Sequence, residues 1–343
     1  MLFSEYKRDK LLYKKRIRDE QASETSTYTN DLHDALLAKN GQAFWQTWKS
    51  KFQNHKSEVI QVGGVVDSTL IANNILNHFA SNCSPLDKVC SEENKSKYIS
   101  LKDHYCGSVV TQNNLFDVEL ISNLICSMSN GKAVGLDELT CEHLKFCHPF
   151  IVNILVKIFN VFISTGHIPV CFGASYTVPI PKCDGRTRAL SINDFRGISI
   201  SPVLSKLFEM AILNRYSYYF TTSDCQLGFK KNVSCKEAIY CVRNVIEAYI
   251  ANGSTVNVCA LDLSKAFDRM CHYTLFIKLM ERQIPISLLN IIEKWFTESI
   301  TCIKWNGYVT HFIRLEAGVR QGGVLSPVFF TIFMDSIVES QIS

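Results

Sequence analysis

No Cys-x-x-Cys pair occurs in the 343 residues, although there are 14 cysteines. Scattered singly, they do not have the spacing of a paired-thiolate zinc fold. With charges rather than an apolar signal core in residues 1–10, they read as free thiols in a reducing compartment. Long apolar runs are also missing. The stretch over 150–164 is too short and too interrupted to span a bilayer. The chain is therefore expected to be intracellular, in nucleus or cytoplasm and not secreted, with no membrane partner and no obligate protein partner evident. There is no Walker-type phosphate loop, no Ser-His-Asp or Cys-His signature, no internal repeat and no Asp-Asp dipeptide. Net charge is only +4, compatible with binding polyanions but not an argument for it, because phosphate channels need clustered cations.

Local Cys/His groups are few. Cys141, His143, Cys147 and His148 lie close in sequence, but on a helix Cys141 shares a face with His148, and His143 with Cys147. Four ligands so placed do not converge tetrahedrally. Cys83, Cys90, His104 and Cys106 are more dispersed still. Cysteine as a small buried hydrophobe is the ordinary explanation for both groups.

The first 55 residues read as helical and charged. Lys7, Arg8, Lys10, Lys14, Lys15, Arg16 and Arg18 give a basic start, either a nucleic-acid-touching arm or, as preferred here, a solvated helix face. Phe44, Trp45 and Trp48 form an aromatic stripe at helical spacing, read as helix packing. A helix over 67–80 is capped by Asp67 or Ser68, and 81–115 reads as a linker. Further helices are predicted over 117–129, 139–148, 150–165, 203–219, 235–251, 272–283, 286–298 and 327–341, the one at 235 opened by the capping box Ser234/Glu237. Strands are predicted around 175–181, 188–193 and 255–262. Residues 300–315 read as a hairpin turning at Asn306-Gly307, a pair suited to the positive φ angles of a type I′ turn.

Three segments carry potential chemistry. The first runs from Val256 to Asp268, with Asp262 placed at the exposed end of a buried strand. There a carboxylate can hold Mg²⁺, or can simply cap the next turn. The second is Gly318-Val319-Arg320-Gln321-Gly322-Gly323-Val324-Leu325-Ser326-Pro327, where two glycines allow close backbone approach and Ser-Pro opens a helix. The third holds Lys182, Arg186, Arg188 and Arg196 on a short antiparallel pair. Such a hairpin could present cations to a triphosphate or only to solvent.

Taken together and in this order, the segments resemble the reverse transcriptases of non-LTR retrotransposons. Asn130-Gly131-Lys132-Ala133-Val134-Gly135-Leu136-Asp137, Pro202-Val203-Leu204-Ser205-Lys206-Leu207-Phe208-Glu209 and Gln226-Leu227-Gly228-Phe229 match as well, so the likeness covers roughly residues 40–343 and is dense from 130 onward. The resemblance implies an α+β fold, with right-hand polymerase fingers and a partial palm behind a helical N-terminal extension. Residues 1–115 would be extension and linker, and 116–343 the reverse transcriptase domain, with an incomplete palm and no thumb. It implies that Asp262 is a catalytic, metal-binding aspartate helped by the backbone carbonyl of Leu263. Phe267 would be the aromatic gate against a ribose 2′-hydroxyl, favouring deoxynucleotides. Lys182, Arg196 and Arg188 would meet the triphosphate, and Gln321 and Gly322 the nascent base pair and sugar. The implied partners are an RNA template, a DNA primer and deoxynucleoside triphosphates, with Mg²⁺ as cofactor in a two-metal transfer.

The family also uses an aromatic-Ala-Asp-Asp hairpin about thirty residues after the Ser-Pro step, and it is not in these 343 residues; Phe333-Met334-Asp335-Ser336 comes too soon and reads as helix. The chain is expected to be a truncated piece without polymerase activity of its own, its palm strand left with an open edge. The alternative is a non-catalytic nucleic-acid-binding remnant of a mobile element.

Overall fold

Asp67 accepts the Leu70 N–H at 2.8 Å and so opens α1 (Ser68–Asn82), as the sequence predicts. The computed structural model describes residues 61–109, 115–182, 190–230 and 233–339, with scattered residues between Lys15 and Trp48. By contacts the chain divides into 1–60 and 61–343. In the first unit Phe44, Trp45 and Trp48 lie in helical backbone and meet edge to face at 5.5 Å and 5.6 Å. Lys15 and Arg16 are exposed there, and the rest of the basic start lies outside the described residues.

The larger unit is mixed α and β. After α1 come α2 (Lys88–Lys102), α3 (Val118–Ser127), α4 (Cys141–Phe146) and α5 (Phe150–Thr165). The strand β1 (Ala174–Pro181), β2 (Phe195–Ile200) and α6 (Val203–Arg215) follow, then α7 (Cys235–Ala251), α8 (His272–Glu281) and α9 (Ile286–Thr297). The strands β3 (Ile300–Trp305), β4 (Tyr308–Val309) and β5 (Ile313–Arg314) precede α10 (Ser326–Glu339). β1 pairs antiparallel with β2 and parallel with β3, while β4 and β5 pair antiparallel with β3. At the hairpin tip Asn306 and Gly307 take φ of 44° and 82°, both positive as a type I′ turn requires.

Aromatic rings build the core. Phe208 of α6 stacks on Trp295 of α9 at 5.9 Å and meets Phe159 of α5 at 4.9 Å, all three buried. Trp295 Nε1–H and Ser205 O–H both donate to the Phe172 carbonyl, which fixes the turn entering β1.

Three expectations are corrected. The stretch read as linker holds α2, capped by Asp87 on the N–H groups of Val89 and Cys90. Only Tyr98 of this helix is buried, so it has almost no apolar stripe to read. It packs on α8, Tyr98 against Phe276 at 5.3 Å, and Lys102 pairs with Glu293 of α9. Second, the strand predicted at 188–193 is displaced to 195–200. Asp194 accepts the N–H and O–H of Ser191, both at 2.8 Å, winding 192–194 into a 3₁₀ turn first. Third, no strand forms over 255–262: the segment is unpaired among the described residues, with Leu261 91% exposed. A strand requires a partner for its N–H and C=O groups, and no described segment pairs with this one. Its neighbour α7 likewise buries none of its residues.

Candidate nucleotide-binding site

Three segments far apart in sequence, together with α1 and Phe229, enclose a cleft of about 640 Å³, well within the size range of ligand sites. The first wall is the β1–β2 pair. Arg196, opposite Ile180 in the ladder, points out of the sheet, and Lys182 follows β1 directly. Lys182 donates its N–H to Asp194 O at 2.7 Å and its Nζ to Asn193 O at 3.0 Å, so its ammonium is tethered at the rim.

The second wall is the turn 263–268. Phe267 lies on Phe330 of α10, ring centroids 4.6 Å apart and nearly parallel. Lys265 takes φ of 56° and extends Nζ to Asn82 Oδ1 at 2.7 Å, with His78 Nε2 at 3.4 Å. Burial, then the nearby cations Lys265 and Lys182, lower the His78 pKa. His78 and Asn82 stand one helical turn apart on α1, which therefore lines the cleft although sequence reasoning left it in the extension.

The third wall is the loop before α10. Val319 N–H donates to Phe267 O at 2.7 Å and Ser199 N–H to Gln321 O at 2.8 Å, joining the loop to both other walls. Gln321 Nε2 donates to Asp268 Oδ1 at 2.9 Å. Burial raises the Asp268 carboxyl above its usual range, against the pull of Gln321 and of Lys265, Lys182 and Arg269. Gly322 sits at φ of 137°, and a Cβ there would lie 2.3 Å from the Ser199 carbonyl oxygen. Its close approach is thus to β2 within the chain.

Underneath, Glu209 of α6 (3% exposed) holds the loop. Its Oε2 accepts the Leu325 N–H at 2.9 Å, and Oε1 stands 3.7 Å from Arg320 Nη2. Arg320 also donates to Phe172 O at 3.2 Å and lies over the Trp295 ring. Burial pushes the Glu209 carboxyl up, and Arg320 with the Leu325 and Val324 N–H groups pulls it back.

His272, wholly buried in α8, has Nε2 2.7 Å from the Gly318 carbonyl, so its neutral ring donates to the same loop. Burial lowers its pKa from 6.5 to about 4. Folded, the ring binds a proton less readily than unfolded. Its contribution is complete above pH 6.5 and is lost as pH falls toward 4, on the order of 3 kcal/mol. Urea midpoints of the chain and of His272→Gln should diverge most at neutral pH and converge by pH 4. Parallel curves would contradict this.

Of the residues singled out from sequence, Lys182, Arg196, Leu263, Phe267, Gln321 and Gly322 all line the cleft. Asp262 is exposed on the unpaired segment and is not among the lining residues. Arg188 lies outside the described residues. Sequence reasoning did not find His78, Asn82, Lys265, Asp268 or Phe229 in this wall. Among the described residues no three His, Cys, Asp or Glu side chains converge as metal ligands. As arranged here, the residues do not fit a two-magnesium centre. The Cys141–His148 group is no metal cluster either: Cys141 Sγ donates to Ser129 O at 2.9 Å and Cys147 Sγ to Leu144 O at 3.0 Å.

Residues 180–343 match the family described as Reverse transcriptase (RNA-dependent DNA polymerase). The RNA-directed DNA polymerase from mobile element jockey of Drosophila melanogaster is 28% identical over 223 residues, 63% of this chain and 24% of that protein. The probable RNA-directed DNA polymerase from transposon X-element of the same species is 23% identical over 228 residues, 65% of this chain and 25% of its own length. The Pol polyprotein from type-1 retrotransposable element R2 of Nasonia vitripennis is 27% identical over 182 residues, 53% and 18% respectively. The chain spans a quarter or less of the length of these relatives. Residues 180–343 thus carry a reverse transcriptase domain, similar to those of non-LTR mobile elements. No helix among the described residues is long and apolar enough to cross a membrane.

Proposed function

We propose that residues 116–343 are the fingers and front of the palm of an RNA-directed DNA polymerase domain, behind an extension over 1–115, and that the cleft takes a deoxynucleoside triphosphate paired to an RNA template beside a DNA primer. The observation that carries this reading is the convergence of Lys182, Arg196, Phe267, Gln321 and Gly322 on one cleft from three distant segments. Arg196 can fork onto phosphate oxygens and Lys182 can add a point charge, while Lys265 deepens the positive potential. Phe267 is the gate that leaves no room for a 2′-hydroxyl. Gln321 and Gly322 face the base pair and sugar. These residues bind and orient the nucleotide.

Transfer chemistry in this family depends on divalent metal, with Asp262 as one expected ligand and the Leu263 carbonyl beside it. Because no three His, Cys, Asp or Glu side chains converge as metal ligands among the described residues, this chain is expected to bind nucleotide and hybrid without joining them. Primer extension on poly(rA)/oligo(dT) should give no product. Mg²⁺-dependent synthesis abolished by Asp262→Ala would falsify that expectation. Filter binding of an RNA–DNA hybrid, with its salt slope, tests whether the cationic wall engages backbone phosphates. Failure to retain either nucleotide or hybrid would leave the cleft without its proposed occupant.

A further inference from the structure

The motif Gln226-Leu227-Gly228-Phe229 has no role in the reading above, yet the fold brings its last residue to the gate. Phe229 carries two costs. Its backbone takes φ of 57°, in the left-handed region that bulky side chains rarely adopt. The residue is 60% exposed, so little apolar burial offsets that conformation. Strain kept at one place in a fold points to use there.

The ring's position gives the use. Phe229 meets Phe267 edge to face, centroids 5.6 Å apart at 86°, and meets Phe330 the same way at 6.4 Å and 88°. Phe267 and Phe330 are themselves stacked. The gate ring is thus covered on one face by Phe330 and braced by a third ring at an angle to both. Phe229 also lines the cleft. Its own segment is tied back to the fold. Ser223 N–H donates to Asp335 Oδ1 at 2.9 Å, Asp335 pairs with Arg282 at 2.7 Å, and Lys230 Nζ donates to Ser223 O at 2.6 Å. The brace therefore rests on α10 and α8 and not on a free loop.

We infer that Phe229 is a positioning residue for Phe267: by closing the gate ring against Phe330 it sets how strongly the cleft refuses a ribose 2′-hydroxyl. The inference rests on the reading of Phe267 as the gate. Without the brace the Phe267 side chain gains room to turn off Phe330, and a ribonucleotide finds space that a deoxynucleotide does not need. The loss should then fall chiefly on discrimination, with ribonucleotide affinity changing more than deoxynucleotide affinity.

The test titrates the 343-residue chain with 2-aminopurine deoxyribonucleoside triphosphate and with its ribonucleoside counterpart, the base serving as fluorophore so that the sugar stays unmodified. Phe229→Gly removes the ring and relieves the left-handed backbone. It should narrow the deoxy-to-ribo affinity ratio about tenfold, chiefly by tighter ribonucleotide binding, without lowering the melting temperature. Phe229→Tyr should restore most of the ratio. A merely structural role would instead lower the melting temperature and weaken both nucleotides together, which would overturn the inference. An unchanged ratio in Phe229→Gly overturns it too, and if Phe267→Ala does alter the ratio the gate reading survives. If Phe267→Ala also leaves the ratio unchanged, or the unaltered chain binds neither nucleotide, the gate reading has failed and this inference with it.

Discussion

Glu209→Leu should destabilise the chain by about 3–5 kcal/mol, the range for removing one member of a buried ion pair. Three losses coincide. The Arg320 guanidinium, 9% exposed, is left without its carboxylate. The Leu325 N–H loses its acceptor at the entry to α10. An apolar side chain of similar volume then faces Arg320 and the polar loop backbone. The consequence reaches the cleft, because Arg320 precedes Gln321 and Gly322 directly. Glu209→Gln should cost less, since its amide oxygen can still accept from Leu325. Replacing both partners, Glu209→Leu with Arg320→Met, should recover part of the loss, because two matched apolar groups bury no unpaired charge. Urea denaturation of the three variants reads the effects. A Glu209→Leu chain within 1 kcal/mol (roughly the worth of an exposed pair) of the parent would show that the pair does not hold the loop.

Loss of nucleotide affinity is the second large effect. Arg196→Ala should weaken deoxynucleoside triphosphate binding by about 10- to 100-fold, the equivalent of one or two charge-assisted hydrogen bonds. Arg196→Lys should recover only part of this, because an ammonium cannot fork onto two phosphate oxygens. Lys182→Ala should fall in the same range, and the double substitution should add further loss, with weaker dependence on salt. Arg196 projects from an exposed strand position, so its removal should leave stability within about 0.5 kcal/mol. Affinity and melting temperature are therefore expected to part company here, whereas for Glu209 they fall together.

Local chemistry made much of the fold legible. Asp67 and the Ser234/Glu237 box announced two helix starts, and Asn306-Gly307 announced the hairpin, because each acts within four residues of chain. α2 was hidden because it is polar around nearly its whole circumference and is held by tertiary packing of Tyr98. The strand around Asp262 has the right composition, but a strand is a property of two segments, and pairing cannot be read from one. The cleft residues were legible through resemblance to a family, one segment at a time. What resemblance did not supply was the wall contributed by His78 and Asn82, nor the Asp268–Gln321 hydrogen bond, since both depend on which distant segments meet. The glycine reading shows the same limit. Close approach was legible at Gly322, but its partner, the Ser199 carbonyl, was not.

Photocrosslinking with 8-azido-deoxyadenosine triphosphate, followed by mapping of the labelled peptides, addresses the central claim most directly. Label should fall on peptides containing 195–200, 263–268 or 320–323, should fade with excess dATP, and should weaken in Arg196→Ala. Label spread over unrelated surface, or insensitive to both competitor and Arg196, would contradict the assignment of this cleft to a nucleotide.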